Sequence, residues 1–131
     1  ISRFIQNKTV EIYGDGKTTR DFCYIENVIQ ANILAAMSSS KIGGDQVFNI
    51  AVGDQINLMD LALLIKENLK TYKVSSNFQI EKGDFRKGDI RHSLADISKA
   101  NKVLFYDPAY SVQMGLKKSM HWYLNNGTKI D

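Results

Sequence analysis

The 131-residue sequence predicts a mixed α/β domain in which short strands alternate with helices. Segments with apolar residues at helical spacing, 26–38 and 58–69, alternate with short β-prone runs at 9–13 and 46–52. A Gly-Asp-Gly turn at 14–16 connects the run at 9–13 to a further strand at 20–24. Glycine tolerates the positive φ angle that a tight turn needs. These two observations together favour an α/β or α+β fold.

Local signals set the other boundaries. Asn57 is a good N-cap for the helix that follows, and Asp96 and Ser111 stand where they can cap two later helices. The whole chain, 1–131, is predicted to form one domain. The predicted elements are helix 1–7, strand 9–13, strand 20–24, helix 26–38, loop 38–44, a buried strand 46–52, helix 58–69, strand 77–81, helix 97–104 and helix 112–126.

Composition excludes several classes of protein. A net charge of +3 with dispersed Lys and Arg residues argues against a nucleic-acid partner. No apolar run approaches the roughly 20 residues that span a bilayer, so no membrane segment is expected. The single cysteine, Cys23, excludes an internal disulfide and favours the cytoplasm. His92 and His121 lie far apart in sequence without further ligands at metal spacing, so no zinc site is expected.

Two stretches combine Arg, Gly and Asp. The first, I-Y-G-D-G-K-T-T-R-D-F-C-Y-I, places Arg20 just after the turn, and the second, F-R-K-G-D-I-R-H-S-L-A-D, begins with Phe85 and Arg86. The planar guanidinium group matches the geometry of phosphate oxygens. The two stretches therefore predict one anionic ligand that is held from two sides.

The same stretches carry a family resemblance. The pattern I-Y-G-D-G-x-x-x-R-D-F-x-Y-I-x-x-V resembles the C-terminal part of NAD-dependent nucleotide-sugar epimerases and dehydratases of the extended short-chain dehydrogenase/reductase type. The run F-R-x-G-D-I-R-H-S-L-A-D-I-S-K-A is most similar to bacterial UDP-N-acetylglucosamine 4-epimerases of surface-polysaccharide pathways. The resemblance implies inversion at C4 of a UDP-sugar by transient oxidation. It leaves open a dehydratase, a decarboxylase, or a module that binds nucleotide sugars without chemistry.

The resemblance also implies four substrate-binding residues. Arg20 and Arg86 would bind the UDP diphosphate, Asp89 would accept a hydrogen bond from the ribose, and Phe22 would line the nucleotide pocket. Plainer roles exist for each of them. The arginines could form surface ion pairs, Asp89 could cap its own turn, and Phe22 could be strand core. Asp21 is expected to be structural, either holding Arg20 or satisfying backbone donors.

The catalytic apparatus of the family is expected outside this chain. The sequence lacks the G-x-G-x-x-G fingerprint, and Tyr106 and Tyr110 have no Lys at the Tyr-x-x-x-Lys spacing of the family's acid/base pair. The resemblance implies NAD bound by an N-terminal Rossmann domain that this chain lacks. No catalytic, cofactor-binding or metal-binding residue is therefore assigned, and the chain alone is expected to be inactive. It begins with Ile1 rather than Met, as expected of a piece of a longer protein, and homo-oligomers are expected.

Overall fold

The computed structural model describes residues 1–39, 45–74 and 79–126. These ranges contain helices and short strands, as predicted. The elements are α1 Ser2–Ile5, β1 Val10–Tyr13, β2 Thr19–Arg20, α2 Ile25–Met37, β3 Ile56–Asn57, α3 Leu58–Thr71, β4 Ile80–Gly83, α4 Ser98–Leu104 and α5 Val112–Asn126. Among the described residues, no helix has the length and apolar character needed to cross a membrane.

Two small strand pairs organise the chain. β1 pairs in parallel with β4, from Val10 opposite Ile80 to Tyr13 opposite Gly83. Carboxyl ends of parallel strands lie at the same edge, so the segments that follow β1 and β4 leave the sheet side by side. β2 pairs antiparallel with β3. The first pair therefore brings the two Arg-bearing stretches together.

The main hydrophobic core lies beside the β1–β4 pair. It joins α1, β1, α3 and α5 through the buried residues Phe4, Ile12, Ala62, Ile65, Leu69 and Met120. A second, smaller cluster joins α2 to α4 through Ala31, Ala100, Leu104 and Tyr106. The β1–β4 edge thus rests on the larger of the two clusters.

Asn57 and Ser111 cap their helices as predicted, whereas the N-cap of α4 is Ile97, one residue after the predicted Asp96. The side-chain oxygen Oδ1 of Asn57 accepts a hydrogen bond from the Asp60 N–H at 2.7 Å and begins α3. Asp96 Oδ1 accepts from the Ser98 N–H at 2.9 Å, at the start of α4. Ser111 Oγ accepts from the third residue of α5, the Met114 N–H, at 3.3 Å. These boundaries depend on contacts within a few residues, which sequence patterns report well.

The predicted buried strand 46–52 is wrong. Residues 46–50 form no strand, and Val47 is 84% exposed, while Ala51 is buried. A strand requires a neighbour that accepts and donates ladder hydrogen bonds, and none of the described strands pairs with this segment. An apolar run indicates burial, but it does not identify the neighbour that would bury it.

Two other strand boundaries also differ. The strand predicted at 20–24 ends at Arg20, which is paired with Ile56 at the end of the β2–β3 ladder, and the Gln55 N–H donates to the Asp54 carboxylate at 2.8 Å. The strand predicted at 77–81 is β4, at Ile80–Gly83, and residues 75–78 lie outside the described residues. Most of the predicted loop 38–44 and Gly127, at the predicted end of α5, also lie outside them.

Candidate functional site

The two Arg-bearing stretches are in direct contact at the β1–β4 edge. Gly14 has φ +81° and donates its N–H to the Gly83 carbonyl at 2.9 Å. The Phe85 ring lies so close that a Cβ on Gly14 would be 2.6 Å from it. Any larger residue at position 14 would therefore have to displace the Phe85 ring and would strain the backbone at this positive φ.

Arg20 is already held by a carboxylate of the second stretch. Its Nη2 donates to Asp89 Oδ1 at 2.5 Å, and its Nη1 donates to the Thr19 carbonyl at 2.8 Å. The Arg20 and Asp89 side chains are 28% and 37% exposed, so the pair lies at a partly solvated surface. The ion pair fixes the guanidinium while leaving other N–H donors of Arg20 and the second oxygen of Asp89 for a ligand.

Arg86 is held through an aromatic face. Its Cζ lies 3.8 Å from the centroid of the Tyr13 ring, within the range of a cation–π contact. Stacking uses the face of the guanidinium, and all five N–H donors lie in its plane. Arg86 and Asp89 line an open cavity of about 260 Å³ whose other walls come mainly from β1 and α3.

The four predicted site residues do not share one cavity. Arg20 and Phe22 line a small, separate depression next to β3, together with Asp54 and Gln55. Phe22 also faces an apolar cavity of about 300 Å³ between Cys23 and α5. The Arg20–Asp89 ion pair is the connection between the two sides. The structure thus brings Arg20, Arg86 and Asp89 together and places Phe22 at the margin.

Asp21 holds backbone, which matches its expected structural role. Its two carboxylate oxygens accept hydrogen bonds from the N–H groups of Val52 and Gly53, each at 3.0 Å. Two residues after Asp21, the Sγ atom of Cys23 lies 3.9 Å from the Tyr106 hydroxyl oxygen. Burial raises the pKa of the Cys23 thiol. A raised thiol pKa disfavours the reactive thiolate.

One Tyr-x-x-x-Lys spacing does occur, from Tyr13 to Lys17, and the sequence reasoning overlooked it. It spans the Gly-Asp-Gly turn instead of one face of a helix, so the spacing does not place the two side chains together. Arg86 covers the Tyr13 ring, and Lys17 is exposed. The geometry gives this pair no acid/base arrangement.

A second polar junction ties the two stretches together through Thr19. The Thr19 hydroxyl donates to Gln55 Oε1 at 2.7 Å and lies 3.0 Å from His92 Nδ1. Thr19 therefore links Gln55, just before β3, to His92, within the second Arg-bearing stretch. No sequence motif signals the Thr19–His92 contact, because the two residues lie 73 positions apart.

Comparison with known proteins gives consistent matches. A UDP-glucuronate 4-epimerase of Thermodesulfobacterium geofontis is 32% identical over 96% of this chain, which spans 38% of that relative's length. A solved UDP-N-acetylglucosamine 4-epimerase of Methanobrevibacter ruminantium, in complex with UDP-N-acetylmuramic acid, superposes with a TM-score of 0.77 at 31% identity. The match covers 95% of this chain and 38% of that epimerase.

A third match includes a cofactor. The UDP-glucuronic acid 4-epimerase of Bacillus cereus, solved with UDP-glucuronic acid and NAD, superposes with a TM-score of 0.73 at 30% identity. The match covers 95% of this chain and 38% of that one. The predicted fold class is thereby confirmed. Residues 1–119 also match the sequence model of the family described as GDP-mannose 4,6 dehydratase, and the chain belongs to this family.

Proposed function

We propose that this chain is the UDP-sugar-binding part of an NAD-dependent UDP-N-acetylglucosamine (UDP-hexose) 4-epimerase of nucleotide-sugar and surface-polysaccharide biosynthesis. The observation that supports it best is the meeting of Arg20 and Arg86 with Asp89 at one strand edge. Residues from two distant stretches supply two cations and one acceptor there. A diphosphate with an adjoining ribose needs that combination of groups.

Each side chain has a distinct part in the proposal. Arg20 and Arg86 donate charge-assisted hydrogen bonds to the two phosphate groups, and their planar forks favour bidentate contact. Asp89 keeps Oδ1 on Arg20 and offers its second oxygen to a ribose hydroxyl. Tyr13 supports Arg86 from below. Phe22 would reach the ligand only at the margin of this site.

The chain's residues do not fit a dinucleotide site, since the sequence has no G-x-G-x-x-G fingerprint. The proposal therefore assigns NAD and the acid/base pair to an N-terminal Rossmann domain in the rest of the protein. The lone Cys23 supports a reducing cytoplasmic location. What these 131 residues contribute is binding and orientation of the nucleotide sugar, so they alone should show no turnover.

A dehydratase is the second candidate, because the matching family carries that description. A decarboxylase would use the same diphosphate contacts. The products separate the three reactions. An epimerase returns a sugar nucleotide of unchanged mass, a dehydratase product has lost one water, and a decarboxylase product has lost carbon dioxide. Mass analysis of UDP-N-acetylglucosamine and UDP-glucuronate after incubation with the whole protein decides among them.

The binding proposal is tested on this chain by calorimetric titration with UDP. Arg20→Ala and Arg86→Ala should each weaken binding by about 1.5–3 kcal/mol, roughly ten- to a hundredfold. Arg→Lys at either position should recover only part, because an ammonium group cannot form the fork. Lys102→Ala, which removes one positive charge from α4, is the matched control.

Removal of Arg20 also leaves Asp89 unpaired beside the ligand, so the double variant Arg20→Ala/Asp89→Asn separates that repulsion from the lost contact. If both arginines bind one diphosphate, their effects should be non-additive. Unchanged affinity in both single alanine variants, or no binding of UDP by the wild-type chain, would reject the proposal.

We also propose that the protein assembles as a homo-oligomer, and that this chain alone self-associates. One face of α2 exposes Ile25, Ile29, Ile33 and Met37, and Val47 is also exposed. Exposed apolar surface of this kind promotes association. Sedimentation over a concentration series should show species larger than a monomer. A monomer at every concentration, without binding of a hydrophobic dye, would contradict this expectation.

A further inference from the structure

We propose that the Asp15–Arg91 ion pair is a latch that positions Arg86 and Asp89 for the ligand. Here "the latch" means this ion pair, and "the site loop" means residues 84–91, which follow β4. The inference rests on the proposed function, because Arg86 and Asp89 act through the UDP-sugar in that proposal. It adds two positioning residues that do not themselves need to touch the ligand.

Apart from the latch, the side-chain attachments of the site loop described above are the Arg20–Asp89 ion pair and the stacking of Arg86 on Tyr13. All its residues are exposed, and it contains neither helix nor strand. Its backbone is anchored at the two ends, where the Gly14 N–H donates to the Gly83 carbonyl and the Thr19 N–H donates to the Arg91 carbonyl, both at 2.9 Å. Between these anchors, side-chain contacts to the first stretch must determine where Arg86 and Asp89 lie.

The latch is built from a carboxylate that is itself fixed. Asp15 Oδ1 accepts the Lys17 N–H at 3.0 Å within the Gly-Asp-Gly turn, and Oδ2 accepts a hydrogen bond from Arg91 Nη2. These hydrogen bonds, first that of Lys17 and then that of Arg91, hold the pKa of Asp15 below its usual range. The carboxylate is therefore charged at neutral pH.

Arg91 also closes the loop on itself. Its Cζ lies 5.3 Å from the centroid of the Phe85 ring, and that ring packs on Gly14. Phe85 directly precedes Arg86, and Arg91 follows Asp89 by two residues. The turn at 14–16 thus contacts the site loop both before Arg86, through Phe85, and after Asp89, through Arg91.

Because Arg91 and Asp15 are 44% and 34% exposed, the ion pair should add little to global stability. Its effect should be on affinity. A loop that is ordered before binding does not lose that conformational freedom when the ligand binds. Breaking the latch should therefore weaken UDP binding and leave the unfolding transition nearly unchanged.

The sign of one effect separates this role from simple electrostatics. Asp15→Asn removes a negative charge near an anion site, so Coulomb's law alone would make UDP bind more tightly. The latch predicts the opposite, roughly three- to tenfold weaker binding, because the site loop is released. Asparagine still has an oxygen that can accept the Lys17 N–H. Asp84→Asn, which removes a charge at the start of the same loop, is the matched control and should not weaken binding.

The experiment measures UDP affinity by calorimetry and backbone amide exchange of residues 84–91 in this chain. Asp15→Asn and Arg91→Gln should each weaken UDP binding and speed exchange, for example at the Asp89 N–H, which donates to the Arg86 carbonyl. The charge-swapped variant Asp15→Arg/Arg91→Asp should bind UDP more tightly than either charge reversal alone, since it restores the ion pair, although an arginine at position 15 cannot accept the Lys17 N–H.

The outcomes distinguish the two proposals. UDP affinity that is lost in Arg86→Ala but unchanged or higher in Asp15→Asn overturns the latch and leaves the proposed function standing. Weaker binding in Arg91→Gln alone would show a direct phosphate contact by Arg91 and also overturns it. If wild-type chain does not bind UDP, the proposed function fails, and unchanged amide exchange in both single variants then overturns the latch independently.

Discussion

Asp21 should be one of the most sensitive polar positions for stability, although it lies next to Arg20 in a surface motif. Its carboxylate accepts the N–H groups of both Val52 and Gly53 at 3.0 Å. Gly53 has φ +76°, so the carboxylate stabilises a tight turn that brings Val52 next to Arg20. Asp21→Ala would leave two backbone donors without this acceptor.

The magnitude follows from the contacts. A hydrogen bond to a charged group contributes about 1.5–3 kcal/mol, and partial exposure of Asp21 and Gly53 favours the lower end. Two such bonds give an expected loss of about 3–4 kcal/mol for Asp21→Ala. Asp21→Asn should lose roughly half as much, since its single oxygen can accept one N–H while its NH₂ group faces the other.

Urea denaturation of the chain measures both losses, provided that the m-value is unchanged. Asp54→Ala is the matched control, because the Asp54 carboxylate accepts the N–H of its neighbour Gln55 in an exposed part of the same loop. Its loss should be at most about 1 kcal/mol. An Asp21→Ala free energy of unfolding within error of Asp54→Ala would refute the reasoning.

Two further predictions concern the contact between α2 and α5. Gly115→Ala should lower the melting temperature, because the new Cβ would lie 2.5 Å from Tyr24 Cβ. This overpacking costs about 1–3 kcal/mol, which outweighs the gain of about 1 kcal/mol in helix propensity. An unchanged melting temperature would contradict this prediction. Glu26 has its pKa lowered by hydrogen bonds from Tyr110 and Lys118, so its stabilisation is present above its ordinary pKa of 4.5 and is lost as the pH falls through the folded value. Glu26→Gln should flatten the acid side of the stability–pH curve. A curve parallel to that of the wild type would show that the Glu26–Lys118 ion pair does not contribute to stability.

Sequence reasoning worked best for elements whose causes are local. Asn57 caps α3 as predicted, because an N-cap acts on a backbone N–H three residues away. It failed for residues 46–52, because a strand depends on a neighbour that the pattern does not name. An apolar pattern at these positions does not distinguish a buried strand from a loop. In the structure the loop exposes Val47 and packs Ile50 against the smaller cluster.

For the site, the sequence identified the residue types but not their mutual contacts. Arg20, Arg86 and Asp89 were predicted, and the structure brings them together, while their binding of a ligand stays a prediction. The Arg20–Asp89 ion pair joins residues 69 positions apart. That contact follows from the parallel register of β1 and β4, which no motif encodes.

The two hydrophobic clusters separate the proposed UDP site from the exposed apolar face of α2. The β1–β4 edge rests on the larger cluster, which α3 and α5 close on one side. The apolar face of α2 belongs to the side of the smaller cluster. The exposed apolar face of α2 is therefore separate from the β1–β4 core that supports Arg86 and the site loop. Association through α2 should leave the site intact, so UDP affinity and oligomeric state should respond to different substitutions.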